Sequence, residues 1–110
     1  MKHKPIVGCM RWGAWGAGFT TAQYETIINQ CIEIGLTIFD HADIYGDYTT
    51  EAEFGKALKS DKSLRNKIQL ITKCGIQMRT PNRPGHKLKS YNTSASHIIE
   101  SVEKDRKSTR

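Results

Sequence analysis

The sequence predicts an α/β protein built on a parallel sheet. Three short apolar segments, at residues 6–10, 37–39 and 68–72, have the length and composition of buried strands, and helical patterns separate them. Such alternation is typical of parallel strands that are joined by helical crossovers. We therefore expect the order strand, helix, strand, helix, strand, loop, helix, with the long loop over residues 77–93, where Pro and Gly are frequent.

The first helix is indicated by apolar residues at helical spacing. Thr21 is a suitable N-cap, and Gly35 stands where a left-handed residue commonly ends a helix. Between them, apolar side chains recur every three or four residues and mark one buried face: Tyr24, Ile27, Ile28, Cys31 and Ile34.

The second and third helices have weaker but similar patterns. Thr50 and Glu53 have the spacing of a capping box, and Ser94 is a candidate cap for the third helix. The apolar side of the second helix is expected to consist of Phe54, Ala57 and Leu58. The inward side of the third helix is expected to consist of Ile98, Ile99 and Val102.

The pattern of the third helix stops after Val102, because the next inward positions are Asp105 and Arg106. An ordinary solvated tail is one interpretation. The other is that residues 1–104 are the beginning of a barrel and residues 105–110 a basic tail foreign to it, from a truncation or a frameshift. We favour the second, because three parallel strands that lack their neighbours form a poor domain.

Length and composition exclude several classes of protein. A chain of 110 residues holds one domain and is too short for a complete (β/α)₈ barrel, which takes about 250 residues. The net charge is +6, but the last seven residues alone carry +3, so a nucleic-acid-binding face is not expected. The three cysteines form no CxxC pair, which argues against disulfides and metal sites. Without a signal peptide or a membrane-spanning run, a cytoplasmic protein with no membrane partner is expected.

Three residues with complementary chemistry fall at the ends of two neighbouring strands. Asp40 ends the second strand, Lys73 ends the third, and Tyr45 lies in the loop after the second. Adjacent strands lie about 4.8 Å apart, so Asp40 and Lys73 are expected to pair. A nearby ammonium lowers the pKa of a phenol from its usual value near 10 and makes it a better proton donor. Such a donor suits the protonation of a carbonyl oxygen while hydride arrives from a nicotinamide.

Each of these residues also has an ordinary interpretation. Asp40 is able to cap a turn, Tyr45 before Gly46 is a common turn pair, and Lys73 is able to serve as a surface charge. Taken singly, the ordinary interpretations are preferable, and it is the combination at strand ends that favours catalysis.

With these residues, the chain resembles the aldo-keto reductase family. The block Phe39–Gly46 and the pattern Glu51-x-x-Phe54-Gly-Lys-Ala-Leu resemble the first motif of that family, and Ile71–Lys73 resembles its lysine-bearing strand. The end of the long loop, Ser90–Ser94, is similar to the bacterial oxidoreductase branch. The resemblance runs from about residue 5 to residue 104.

The resemblance implies a partial (β/α)₈ TIM barrel, consisting of the first three βα units only. It implies NADPH-dependent reduction of a small aldehyde or ketone, with Asp40, Tyr45 and Lys73 as three of the four catalytic residues and Tyr45 as the acid. It also implies that the cofactor contacts Asp40 and, by a looser match, the first-strand residues Met10, Arg11 and Trp12.

The fourth catalytic residue implied by the resemblance, a histidine after the fourth strand, has no counterpart here. His86 and His97 precede the place of that strand, and His41 points to the opposite face from Asp40 by strand alternation. All three are expected to be ordinary polar residues. Cys31 and Cys74 are expected to be small buried hydrophobic residues.

Three functions therefore remain open: a reductase by descent that is inactive alone, a non-catalytic assembly fragment, and a basic binding module. A strand that leaves about 400 Å² of apolar surface wet forgoes roughly 10 kcal/mol. Whole domains are stable by only about 5–15 kcal/mol. We therefore expect a marginally stable chain that self-associates through exposed sheet edges.

Overall fold

The computed structural model describes residues 3–109, with the side chains of residues 3–107. Met1, Lys2 and Arg110 lie outside it, so the expectations for the very start of the chain and for the last residue of the basic tail are not addressed. Strands β1 (Val7–Gly8), β2 (Ile38–Asp40) and β3 (Gln69–Ile71) form a parallel sheet in the order β1-β2-β3. The predicted α/β class and parallel sheet are confirmed.

The register of this sheet brings the carboxyl ends of the strands to one edge. Asp40 is paired with Gly8 on one side and with Ile71 on the other. The residues that follow β2 and β3 therefore leave the sheet side by side.

Helix α1 comprises Thr21–Glu33, so its N-cap is Thr20 and not the predicted Thr21. Thr20 is the N-cap: its hydroxyl accepts a hydrogen bond from Gln23 N at 3.2 Å, while its own amide donates to Gln23 Oε1 at 2.9 Å. This reciprocal pair is a capping box, formed with Gln rather than Glu. Gly35 follows the helix with φ of +85°, which confirms its predicted role.

A short helix α2 (Tyr45–Tyr48) precedes α3 (Thr50–Ser60). The predicted capping box of Thr50 and Glu53 is wrong. The N-cap is Thr49, whose backbone is already near-helical (φ −114°, ψ −25°) rather than extended as a capping box requires. The Thr50 hydroxyl is buried without a partner, and Glu53 pairs with Lys56 at 3.0 Å.

One hydrophobic core lies between the sheet and the helices α1 and α3. Tyr24 and Ile28 of α1, Phe54 of α3 and Phe39 of β2 are completely buried in it. The Trp12 ring lies 5.8–6.1 Å from four aromatic rings of this core, in Phe19, Tyr24, Phe39 and Phe54. The predicted inward faces of these two helices are confirmed for Tyr24, Ile28, Phe54, Ala57 and Leu58, but the prediction is wrong for Ile34, which is 73% exposed.

The region predicted as an uninterrupted loop contains a β-hairpin. Strands β4 (Ile76–Gln77) and β5 (Ser90–Tyr91) pair antiparallel, with Ile76 opposite Tyr91. Each strand has two residues, which is too short for the alternation that identifies strands in a sequence. We call residues 76–91 the hairpin segment.

Helix α4 (Ala95–Thr109) runs well past the point at which its apolar pattern stops. Ser94 Oγ accepts a hydrogen bond from His97 N at 3.3 Å, as expected of its cap. The expectation that the helix fails near residue 104 is wrong, because the helix continues to Thr109. Its polar end contains i,i+3 and i,i+4 ion pairs, each of which stabilises a helix by about 0.2–0.5 kcal/mol. The pairs are Glu100–Lys104 at 2.9 Å and Glu103–Arg106 at 3.7 Å. The domain boundary between residues 104 and 105 stays a prediction.

The expected inward face of α4 is also wrong for this chain. Ile98, Ile99 and Val102 are 41%, 63% and 46% exposed. The helix instead turns polar residues toward α3, where His97, Ser101 and Asp105 line a shared cavity with Glu51. An apolar stripe needs an apolar partner, and the described residues place none against this one. In the part of the chain that the structure describes, no helix combines the length and apolarity needed to cross a membrane.

Candidate active site

The predicted pair of Asp40 and Lys73 forms at the carboxyl edge of the sheet. Lys73 Nζ donates to Asp40 Oδ1 at 2.7 Å and to the backbone oxygen of His41 at 2.7 Å. The parallel register explains the contact, since Asp40 ends β2 and Lys73 lies two residues beyond the end of β3. Two acceptors thus hold one ammonium at the edge of the sheet where the carboxyl ends of the strands lie, which we call the mouth.

The charge of Lys73 is reinforced by its neighbours. Partial burial lowers the pKa of an ammonium, but hydrogen bonds with Asp40 and Tyr45 and the charge of Asp40 outweigh it, so the pKa of Lys73 is raised. Lys73 therefore stays positively charged throughout the neutral range.

Tyr45 reaches the same point from the start of α2. Lys73 Nζ lies 5.3 Å from the centroid of the Tyr45 ring, and the Trp15 ring packs on Tyr45 at 6.2 Å. An open cavity of about 330 Å³ adjoins both, lined by residues 42–45, 73, 74 and 76. The three residues predicted to share a site are thus brought together, beside a space of the size that small ligands occupy.

The energetics of the ion pair do not suggest a stabilising role. The side chains of Lys73 and Asp40 are 50% and 32% exposed, so solvent screens their attraction. Exposed pairs of this kind contribute about 0–1 kcal/mol to stability. The pair is better explained as the placement of a charge beside Tyr45 than as a support of the fold.

A left-handed turn follows Tyr45 directly. Gly46, Asp47 and Tyr48 have φ of +63°, +55° and +70°. Glycine is favoured at residue 46, because its φ lies in the left-handed region and a Cβ there would clash with the side-chain hydroxyl of Thr50. Asp47 adopts this region more readily than most non-glycine residues, whereas left-handed backbone costs a residue such as Tyr48 roughly 1–2 kcal/mol. The sequence showed only Gly46 as a turn signal and gave no sign that Tyr48 belongs to the same turn.

His41 points away from the mouth, as strand alternation predicted. Its ring lies 4.5 Å from that of Phe54, and neither ring nitrogen has a hydrogen-bond partner. Burial lowers the pKa of His41 to about 4, against smaller opposing effects of Asp105 and Asp40. His41 contributes to the site only through its backbone oxygen, while His86 and His97 line other cavities.

The first-strand residues that the resemblance assigns to the cofactor differ in their exposure. Met10 is 45% exposed and Arg11 is exposed, while Trp12 packs in the aromatic core. Their contact with a cofactor, like that of Asp40, stays a prediction.

The cysteines behave differently from one another. Cys31 is half-buried, but Cys74 is exposed at the mouth cavity, so the expectation of a buried Cys74 is wrong. Cys9 is fully buried, and burial raises the pKa of its thiol to about 12. Within residues 3–109, no cluster of His, Cys, Asp and Glu is arranged to hold a metal ion.

A second cavity of about 150 Å³ lies between α3, α4 and the hairpin segment. Glu51 lines it and is only 8% exposed. Burial, together with a hydrogen bond to Asp105, raises the pKa of Glu51 to about 8, although the 2.8 Å hydrogen bond from Thr72 Oγ1 works in the opposite direction. The sequence marked Glu51 only as part of a motif and gave no sign of this titration.

Comparisons with known proteins show which family and fold this chain is similar to. The uncharacterized oxidoreductase YcsN of Bacillus subtilis is 49% identical over 98 residues, which are 89% of this chain and 32% of that protein. The 6-dehydroglucose reductase of Agrobacterium fabrum is 41% identical over 96 residues, 84% of this chain and 32% of that protein. The holo form of the aldo-keto reductase AKR11C1 from Bacillus halodurans superposes with a TM-score of 0.71 at 26% identity, covering 96% of this chain and 32% of that one.

The chain spans about a third of the length of these relatives. The superposition on an aldo-keto reductase barrel confirms the predicted partial barrel. The sequence pattern of the Aldo/keto reductase family matches residues 6–109, nearly the whole chain. The chain therefore belongs to the aldo/keto reductase family.

Proposed function

We propose that this chain represents the first three βα units of an NADPH-dependent reductase of small aldehydes or ketones, and that it is inactive alone. The observation that carries the proposal is the convergence of Asp40, Lys73 and Tyr45 beside one open cavity. The oxidoreductase relatives support the reaction class, and one of them is a 6-dehydroglucose reductase by name.

Each residue has a distinct role in the proposed reaction. The nicotinamide, when bound, supplies hydride to the carbonyl carbon. The Tyr45 hydroxyl gives its proton to the carbonyl oxygen, so that an alcohol forms without a free alkoxide. Lys73 stabilises the phenolate that remains, Asp40 and the His41 carbonyl hold the ammonium in place, and solvent returns the proton to Tyr45.

The residues present fit the reacting end of the cofactor rather than the whole of it. The mouth cavity of about 330 Å³ accommodates a group of nicotinamide size next to Tyr45, but not an entire dinucleotide. The absence of the family's histidine position and of later strand ends explains the proposed inactivity. The reducing cytosol is the proposed compartment, consistent with the free thiols of Cys9, Cys31 and Cys74.

A first test is a titration of the purified chain with NADPH, followed by cofactor fluorescence. We expect no saturable binding, because the mouth holds only the reacting end of the cofactor. Saturable binding at micromolar cofactor would contradict the proposed inactivity and would require a screen of carbonyl substrates.

A chimera tests the catalytic roles. The matched N-terminal segment of the Agrobacterium 6-dehydroglucose reductase is replaced by this chain, and NADPH oxidation with 6-dehydroglucose is measured. We expect turnover that Tyr45→Phe lowers by roughly 10²–10⁴-fold, the range for loss of a general acid. Tyr91→Phe is the matched control, since Tyr91 is 73% exposed on β5. A folded chimera in which both variants retain equal turnover would refute the role of Tyr45.

An assembly fragment is the second candidate, favoured by two exposed features. The β3 edge is unpaired in the three-stranded sheet, and Ile98, Ile99 and Val102 form an exposed stripe on α4. Self-association, or docking to a complementary barrel piece, would cover both. Sedimentation of the chain alone tests self-association, and sedimentation of the chain mixed with the C-terminal two-thirds of the Agrobacterium reductase tests docking. A chain that stays monomeric in both experiments would contradict the assembly-fragment function.

A further inference from the structure

The left-handed turn after Tyr45 is gripped by a distant part of the chain. The Tyr48 hydroxyl donates to the backbone oxygen of Ile76 at 3.1 Å and accepts from the backbone amide of Met78 at 3.0 Å. One side-chain oxygen thus bridges an acceptor and a donor at the start of the hairpin segment.

Further contacts from the same segment reach the turn. Asn82 Nδ2 donates to the backbone oxygen of Asp47 at 2.9 Å, and the Arg83 guanidinium lies 4.3 Å over the Tyr48 ring. The His86 ring packs against Tyr48 at 5.9 Å. These contacts all fall on the two non-glycine residues with positive φ.

This coincidence indicates what the contacts are for. Left-handed backbone is disfavoured for Asp47 and Tyr48, so the turn needs support from outside itself. Tyr45 stands immediately before the turn, and its ring must face Lys73 for the proposed proton transfer. A turn that relaxed toward a right-handed conformation would carry Tyr45 away from the ammonium.

We propose that Tyr48 is a positioning residue, whose hydroxyl ties the left-handed turn to the hairpin segment and so aims Tyr45 at Lys73. The proposal rests on the proposed function in that Tyr45 is taken as the acid. The geometry itself is measurable without turnover, which keeps the two questions separate.

The test is an NMR measurement on the 110-residue chain, with Lys73 assigned through isotope labelling. The ring current of Tyr45 displaces the resonances of the Lys73 ε-methylene, and Tyr45→Leu defines the undisplaced position. We expect Tyr48→Phe to reduce this displacement to less than half, because the ring still stacks under Arg83 while both hydrogen bonds are lost. Tyr91→Phe, which removes an exposed hydroxyl from the same hairpin segment, should leave it unchanged.

A rescue variant separates positioning from general destabilisation. Asp47→Gly removes part of the strain, so Asp47→Gly combined with Tyr48→Phe should recover at least half of the lost displacement. Tyr48→Phe with an undiminished displacement would overturn the proposal. A double variant in which the Lys73 displacement does not recover would also overturn the proposal. The same holds if Tyr48→Phe alone fails to fold, since the double variant is then the measurement that decides.

The chimera then shows which of the two ideas failed. An inactive chimera with the expected displacements refutes the reductase function and leaves Tyr48 as a positioning residue. An active chimera whose kcat is unchanged by Tyr48→Phe, in a chain whose displacement is also unchanged, refutes the positioning role alone.

Discussion

The two helices that cover the sheet and the last helix of the chain have similar amphipathic patterns but opposite outcomes. Helices α1 and α3 bury Tyr24, Ile28 and Phe54 against the sheet. Helix α4 leaves Ile98, Ile99 and Val102 exposed and meets α3 with polar side chains. The difference teaches that an apolar stripe predicts a helix reliably, but predicts its burial only where the opposing element is present.

The largest expected difference between the two regions lies in their response to truncation of a large side chain. Phe54→Ala should destabilise the chain by about 3–5 kcal/mol, as is typical of buried phenylalanines, and this is enough to unfold a marginal domain. Ile99→Ala, on the open face, should change the free energy of unfolding by less than about 0.5 kcal/mol. Urea unfolding followed by Trp fluorescence measures the effect of Ile99→Ala, and loss of the native Trp signal in the absence of urea identifies a Phe54→Ala chain that no longer folds. Equal losses would show that α4 is covered in solution.

A second contrast concerns pH, because folding shifts the pKa values of His41 and Glu51 strongly and in opposite directions. His41 packs on Phe54 in the core between the sheet and the helices, with Asp105, Asp40 and Lys73 as charged neighbours. Glu51 faces Asp105 and Asp43 at the α3–α4 side. Folding depresses the pKa of His41 from 6.5 to about 4 and raises that of Glu51 from 4.5 to about 8.

The signs of the two contributions are opposite. Between pH 8 and 6.5 the folded state binds the extra proton of Glu51, so stability should rise as pH falls. Below pH 6.5 the unfolded state binds the extra proton of His41, so the two effects should largely cancel down to about pH 4.5. At about 1.4 kcal/mol per pKa unit, these shifts correspond to contributions on the order of 5 kcal/mol for Glu51 and 3 kcal/mol for His41.

Two variants resolve the contributions. Glu51→Gln should remove the alkaline decline and reveal an acid decline between pH 6.5 and about 4, while His41→Leu should let stability keep rising to about pH 4.5. Denaturation midpoints across this range are the measurement. An unchanged profile in Glu51→Gln would show that the carboxyl is not desolvated in solution.

The smallest expected effect on stability comes from making the open face polar. Ile99→Gln should alter the free energy of unfolding by less than about 0.5 kcal/mol but should reduce self-association, since it interrupts the exposed stripe. Sedimentation velocity at several concentrations measures the change in self-association. Phe54→Ala is not a suitable comparison, because it unfolds the core. Oligomers of equal size in parent and variant would indicate that the chain associates through the β3 edge rather than through the exposed stripe on α4.

The comparison also explains which parts of the fold were open to sequence reasoning. The parallel sheet, Gly35 and the Asp40–Lys73 pair followed from local pattern and from the rule that neighbouring strand ends meet at one edge. The hairpin segment was missed because its strands are two residues long and its pairing depends on contacts across the chain. The cap at Thr20 was missed because the adjacent Thr21 is an equally suitable cap residue, and it is Gln23, three residues after Thr20, that completes the capping box with Thr20.

Within the site, sequence reasoning identified the groups but not what surrounds them. Asp40, Tyr45 and Lys73 carry chemistry that is visible in their residue types. The Tyr48 hydroxyl and the buried Glu51 acquire their properties from neighbours that are 21–54 residues away in the chain, and no local pattern encodes those neighbours.

The grip of the hairpin segment on the turn has a consequence for the order of events during synthesis. The bonds to Tyr48 and Asp47 span 28, 30 and 35 residues, and their partners extend to Asn82. Asp40 and Tyr45 therefore leave the ribosome well before the residues that fix the turn, and Lys73 emerges before Asn82 as well. The contacts that hold the turn next to Tyr45 therefore form only after the hairpin segment has been translated, later than Asp40, Tyr45 and Lys73 themselves.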